Sequence, residues 1–169
     1  MRLLVHWFRR DLRLSDNTAL HHAAQDADVV IPVFVFDPAI LRRDDVGAPC
    51  VAFMLDCLRS LAANLEAAGS RLILRHGDPL VEIPRLISEA GASGVYWNRD
   101  YEPSAKARDA AMEQLGEARG FMTRHFKDTP LHEAAEVRTG AGGAYTVFTP
   151  FSRNWLTQPK PQLLPRFKP

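Results

Sequence analysis

Five short apolar runs, each separated from the next by a stretch with helical periodicity, restrict this chain to very few folds. The runs are Leu3-Leu4-Val5, Val29 to Phe36, Leu72-Ile73-Leu74, Val95-Tyr96-Trp97 and Phe121-Met122. They do not alternate polar with apolar residues, which is the pattern of parallel strands covered on both faces. Between them, Val51, Met54, Leu55, Leu58, Leu61, Ala62 and Leu65 recur at three-to-four spacing and mark one face of a helix. Gly69 stands where a glycine would close that helix. Asp78-Pro79 reads as the cap and first residue of the next helix, with Leu80, Ile83, Ile87 and Ala90 inward. Ser104 is the expected cap of the following helix, which should run to about Gly120. Alternation of this kind predicts an α/β fold: a Rossmann-like, doubly wound five-stranded parallel sheet of order 3-2-1-4-5, with helices on both faces.

The texture changes after Phe126. Gly140, Gly142 and Gly143 interrupt the periodicity, and Tyr145 to Phe151 reads as an extended segment. Pro159, Pro161, Pro165 and Pro169 give the last stretch the composition of a linker. The expected organisation is one domain over residues 1–155 and the start of a linker over 156–169.

The totals are those of a soluble globular domain: 169 residues, 46% hydrophobic and 24% charged. A formal charge of +1 leaves no basic excess for gripping nucleic acid. No secretory leader is read at Met1 to His6, and no apolar stretch is read as approaching the roughly 20 residues of a membrane span. Cys50 and Cys57 are seven apart and not in a CxxC pattern, so reduced thiols and a cytoplasmic setting are expected. The six histidines show no metal-ligand spacing.

In an open α/β sheet, ligands bind beyond the carboxyl ends of the strands where the strand order reverses, here between strands one and four. The loops expected there are strongly charged: Phe8-Arg9-Arg10-Asp11 after strand one, and Asn98-Arg99-Asp100-Tyr101-Glu102-Pro103 after strand four. Strand two contributes Phe36-Asp37 at its own end. An aromatic wall, carboxylates that accept N–H or O–H donors, and arginines suit a planar polar ring system. The competing reading is that Asp11 and Asp100 pair with neighbouring arginines as structural ion pairs. There is no GxGxxG after strand one, no GxxxxGK[ST], and no nucleophile–base set in the loops.

The string His6-Trp7-Phe8-Arg9-Arg10-Asp11-Leu12-Arg13-Leu14-Ser15-Asp16-Asn17 closely resembles the opening signature of the DNA photolyase/cryptochrome family. Further matching pieces follow in order: Val35 to Leu41, Gly77-Asp78-Pro79, Tyr96 to Pro103, Arg108-Asp109 and Tyr145 to Trp155. The resemblance implies an N-terminal α/β domain that binds an antenna chromophore. It further implies a separate C-terminal helical domain as its partner, holding FAD and gripping DNA; DNA would be bound through that domain alone, and no membrane is involved. Light absorbed by the antenna would pass to FAD, which repairs cyclobutane pyrimidine dimers; a cryptochrome photoreceptor without repair activity is the alternative. This chain would hold the antenna only, with no catalytic residue of its own. Members that bind a deazaflavin resemble this chain at Arg9-Arg10-Asp11 and at Asp100-x-Glu102-Pro103. Folate-binding members carry Asn-Glu where this chain has Ser104-Ala105. An 8-hydroxy-deazaflavin or flavin is therefore favoured over methenyltetrahydrofolate. The cofactor-binding set implied is Arg9, Arg10, Asp11, Phe36, Asp37, Cys50, Asp100 and Glu102; at Cys50 many members place an arginine, and at Arg10 the DASH cryptochromes usually show asparagine.

Overall fold

The structure is a computed structural model and describes residues 1–133 and 135–167. In chain order its elements are β1 (Leu3–Phe8), α1 (Thr18–Asp26), β2 (Val29–Phe36), α2 (Pro38–Leu41), α3 (Ala48–Ala67) and β3 (Ile73–His76). α4 (Pro79–Ala90), β4 (Gly94–Asn98), α5 (Pro103–Arg119), β5 (Met122–Phe126) and α6 (Phe148–Thr157) follow. All five strands pair in parallel in the order β3-β2-β1-β4-β5, the doubly wound arrangement that the alternation requires.

Because strand side chains alternate between faces, each central strand feeds two cores. Val5, Trp7, Val33, Val35, Val95 and Trp97 pack with Ile83, Leu86 and Ile87 of α4 and Met112 of α5. On the opposite face Phe8 and Phe34 lie with Leu20 of α1 and Leu58, Leu61 and Leu65 of α3. Each such fully buried side chain contributes about 1.5–3 kcal/mol. β1 and β4 are buried along almost their whole length, whereas β3 and β5 are half exposed, as edge strands are.

Local chemistry sets the helix ends. Asn17 caps α1, its side chain accepting the Leu20 N–H at 3.1 Å. At the end of α3, Gly69 takes φ +79 and donates to Glu66 O (2.9 Å), while Ser70 N–H reaches Leu65 O (2.8 Å). That is the two-bond closure a left-handed glycine permits. Gly94 is required by close approach: a Cβ there would lie 2.1 Å from the Met122 carbonyl oxygen on β5.

Several local expectations are corrected. α5 starts at Pro103 with Glu102 at the cap position, not at a Ser104 cap, because the fixed φ of proline suits the first helical residue. β5 begins at Met122 and runs to Phe126, beyond the two residues anticipated, since Gly120 closes α5 with φ +74 and the chain re-extends only after Phe121. Phe148 onward is helical and not extended: Pro150 falls within the first turn of α6, where a backbone N–H has no intrahelical partner to lose. α3 has the length and mean hydropathy (1.2) of a membrane span, contrary to the reading of its sequence. It nevertheless lays its Leu58, Leu61 and Leu65 face on the sheet.

The stretch expected to start a linker is partly structured. α6 continues past residue 155 to Thr157, and Phe167 folds back into the α3-side core. Lys168 and Pro169 lie outside the described residues.

Candidate functional site

The sheet order brings the carboxyl ends of β1 and β4 side by side, and the residues beyond them build a pocket of about 650 Å³. Arg9, Arg10 and Asp11 line it from β1, Asn98 and the loop Arg99 to Pro103 from β4, and Asp128 and Thr129 from beyond β5. Five of the eight residues expected at a site are thus brought together: Arg9, Arg10, Asp11, Asp100 and Glu102. Phe36, Asp37 and Cys50 are not in its lining. Phe36 packs edge-on against Phe34 at 5.1 Å in the α3-side core. Asp37 caps α2 by accepting the Ala39 N–H at 2.9 Å, and its other oxygen lies 3.7 Å from Arg108. Cys50 is exposed in the first turn of α3.

The floor is a buried polar network in which Asp11 is joined by Asn98 and Asn17, two residues that the expected set lacks. Asn98 Nδ2 donates to Asp11 Oδ2 (2.6 Å) and Asn17 Oδ1 (2.8 Å), and Asn98 Oδ1 accepts the Ala19 N–H (2.8 Å). Asp11 Oδ1 accepts the Arg9 N–H at 2.8 Å. The Asp11 carboxylate is therefore committed to holding the β1 and β4 loops together. Arg9 is committed too: its guanidinium pairs with Asp109 of α5, donates to the Asn98 carbonyl, and lies over the Trp7 ring at 5.1 Å. Of the ion pairs that the competing reading expected, Asp100 with Arg10 is found, at 3.6 Å, whereas Asp11 is held by hydrogen bonds and Arg9 pairs with Asp109 instead.

The rim differs. Glu102 Oε1 meets Arg10 at 2.9 Å, and Glu102 Oε2 lies 3.6 Å from Arg43, in the segment between α2 and α3. Asp100 Oδ1 accepts the Tyr101 N–H (2.7 Å), which shapes the turn, while Oδ2 faces Arg10 at 3.6 Å. Glu102 is half exposed, and Asp100 Oδ2 and Glu102 are paired with the exposed side chains of Arg10 and Arg43, so they are the acceptors free to exchange partners. Further back, Arg13 holds Asp128 through two bonds (2.8 and 2.9 Å); burial works against the Arg13 charge, but Asp128 outweighs it and raises its pKa. Burial, with the hydrogen bond to Glu133, pushes the Tyr101 hydroxyl up to about 12, so it stays protonated and donates to Glu133 at 3.0 Å. Arg108 is lowered by burial and by the nearby charge of Arg9.

The lining brings acidic Asp11, Asp100, Glu102 and Asp128 together with Arg9, Arg10 and Arg99. Such a site offers acceptors to a donor-rich, near-neutral planar molecule and little excess positive charge to a polyphosphate. Among the described residues, no group of three or more His, Cys, Asp or Glu is arranged to hold a metal ion.

The family model described as DNA photolyase matches residues 4–168. The chain is similar to a deoxyribodipyrimidine photo-lyase of Synechococcus sp., 39% identical over 158 residues, covering 94% of this chain and 33% of that protein. Among solved structures it superposes on a bacterial class III photolyase from Agrobacterium tumefaciens with TM-score 0.90 at 36% identity, covering 98% of this chain and 34% of that one. An archaeal photolyase from Sulfolobus tokodaii aligns with TM-score 0.86 at 28% identity, over 97% of this chain and 37% of that chain. The chain thus spans about a third of the length of the relatives it matches.

Proposed function

Since the chain belongs to the DNA photolyase family, we propose that it is the light-harvesting domain of a deoxyribodipyrimidine photolyase and holds an antenna chromophore in the pocket between the β1 and β4 loops. The observation that carries this reading is the convergence of Asp100 and Glu102 with the Arg9-Arg10-Asp11 turn around a pocket of about 650 Å³. The size and the row of acceptors fit a tricyclic ring with N–H and hydroxyl donors. An 8-hydroxy-deazaflavin meets that description in full, and a flavin through its ring N–H and the hydroxyls of its ribityl chain. Support for a flavin comes from the Sulfolobus tokodaii photolyase, whose structure is described as holding two FAD molecules with a novel light-harvesting cofactor implied.

The bound chromophore would supply light absorption and energy transfer and no bond chemistry within this domain. Glu102 and Asp100 accept from the donors of its ring. Arg10, at the rim with Glu102 and Asp100, would flank it, and the Asn98–Asp11–Asn17 network would keep the floor from shifting. Phe36, Asp37 and Cys50 stand outside this lining and are given no part in the reading; Arg43, between α2 and α3, is the residue that reaches Glu102 from that side. FAD and damaged DNA are assigned to a C-terminal helical domain of the whole protein. Titration of the chain with 8-hydroxy-deazaflavin, FMN, FAD and methenyltetrahydrofolate tests the proposal: a deazaflavin or flavin binds with shifted absorbance, and folate binds more weakly.

A further inference from the structure

Residues 158–167, after α6, carry no helix or strand, yet they are tied to the turn between β1 and α1, whose first residues line the pocket. Asp16 N–H donates to the Leu164 carbonyl (3.3 Å) while Leu164 N–H donates to Asp16 Oδ1 (3.0 Å), a reciprocal pair across 148 residues. Phe167 N–H donates to the Leu14 carbonyl at 2.7 Å, and its buried ring joins the cluster of Leu14, Leu58 and Leu61. Arg166 adds a bond to Asn64 of α3 at 3.0 Å.

The turn has reason to need these ties. Asp16 is the one non-glycine residue with positive φ (52) among the described residues, a conformation that a side chain with a Cβ disfavours. One residue from Leu14, Arg13 points the other way and grips Asp128, which lines the pocket. Asn17, next to Asp16, donates to the Asp11 and Arg13 carbonyls at 3.2 Å and shares the pocket floor. The far end of the turn, Leu14 to Asp16, is thus fastened by residues 164–167, and its near end, Arg9 to Asp11, lines the site.

We infer that residues 164–167 are an intramolecular strap whose docking keeps the β1–α1 turn in its strained form and thereby sets the ligand affinity of the pocket from outside it. The link to affinity rests on the chromophore reading; the control of the turn does not. Because the strap lies outside the sheet, its release is a local opening that leaves the central strands closed.

Hydrogen exchange on the whole chain tests this with Phe167→Ala, and with Leu164→Pro, which removes a strap donor without touching the core. Either variant should speed exchange of the Asp16 amide, the turn N–H bonded to Leu164, by about tenfold or more and leave Trp7 and Trp97 unchanged. FMN and 8-hydroxy-deazaflavin titrations of the variants should give a severalfold weaker complex. An Asp16 amide that exchanges freely in the parent chain would overturn the inference. So would an Asp16 amide that stays protected when residue 167 no longer is, or acceleration that spreads equally to Trp7 and Trp97. A loosened Asp16 amide with unchanged affinity would overturn the link to the pocket. A parent chain that binds neither ligand would contradict the chromophore reading, and the strap would then be decided by exchange alone.

Discussion

Arg9 and Asp109 form a buried two-point ion pair, Nη1 to Oδ1 at 2.5 Å and Nη2 to Oδ2 at 3.2 Å, with side chains only 7% and 11% exposed. It ties the turn after β1 to α5 across 100 residues. Removing one member leaves the other charged and without water. Asp109→Ala is therefore expected to cost about 3–5 kcal/mol, measured by chemical denaturation, whereas loss of an exposed pair costs about 0–1 kcal/mol.

Asn98 is the other fixed point. Its side chain serves three partners, so Asn98→Ala leaves the Ala19 N–H without its acceptor and strips a donor from both Asp11 and Asn17. A loss of about 2–4 kcal/mol is expected, as for more than one orphaned buried group, together with weaker ligand binding because the floor is no longer held. Asn98→Asp retains the acceptor for Ala19 but sets a carboxylate against Asp11, and should be at least as damaging in a thermal melt.

The contrast between these residues and the rim shows what the sequence made legible. Strand order followed from uninterrupted apolar runs, and that order alone placed Arg10 beside Asp100 and Glu102. Asn98, Asn17, Asp109 and Asp128 could not be found that way, because each gains its role from a partner about 80 to 115 residues away. Asn98 looked like one more polar loop residue. Nothing local distinguishes an asparagine that will be buried with its amide fully used. The same holds for α6: Tyr145 to Phe151 has strand-like composition, and a proline in the first turn looks like a breaker until the helix start is known. Phe167 sat in a proline-rich stretch whose composition speaks of a linker, while its ring finds a core supplied by α3.

His6 lies fully buried in β1, where loss of solvent lowers its pKa from 6.5 to about 4, the charge of Asp11 offsetting only part of the effect. The folded state holds the ring neutral, whereas the unfolded chain takes up a proton below 6.5. Stability from this group is complete above pH 6.5, falls as pH drops from 6.5 toward 4, and levels off below that. The total is on the order of 3 kcal/mol. Denaturation at pH 7.5 and pH 4.5 should show this loss in the parent chain and a smaller one in His6→Leu. Equal losses in both would remove His6 from the account.

DNA should be a poor ligand for this chain. With a formal charge of +1 and its pocket arginines committed to carboxylates, duplex DNA is expected to bind weakly, with little of the steep salt dependence that phosphate neutralisation produces. Illumination of the isolated chain with dimer-containing DNA should give no repair. A tight complex that dissolves between low and moderate salt, seen by fluorescence anisotropy, would contradict this expectation.

The central claim concerns the acceptors at the rim, and one titration tests it most directly. Glu102 is half exposed and its ion pair with Arg10 is worth little, so Glu102→Ala should leave the melting temperature nearly unchanged. If Glu102 accepts a hydrogen bond from the chromophore ring, the same substitution removes a buried bond worth about 1–3 kcal/mol, roughly a ten- to hundredfold loss of affinity. The measurement is the binding of 8-hydroxy-deazaflavin, FMN and FAD to the parent chain and to Glu102→Ala, alongside a melt of each. The account predicts a deazaflavin or flavin complex that weakens by that factor at constant stability. Unchanged affinity with lowered melting would make Glu102 a structural ion pair, and preferential binding of methenyltetrahydrofolate would overturn the chromophore assignment.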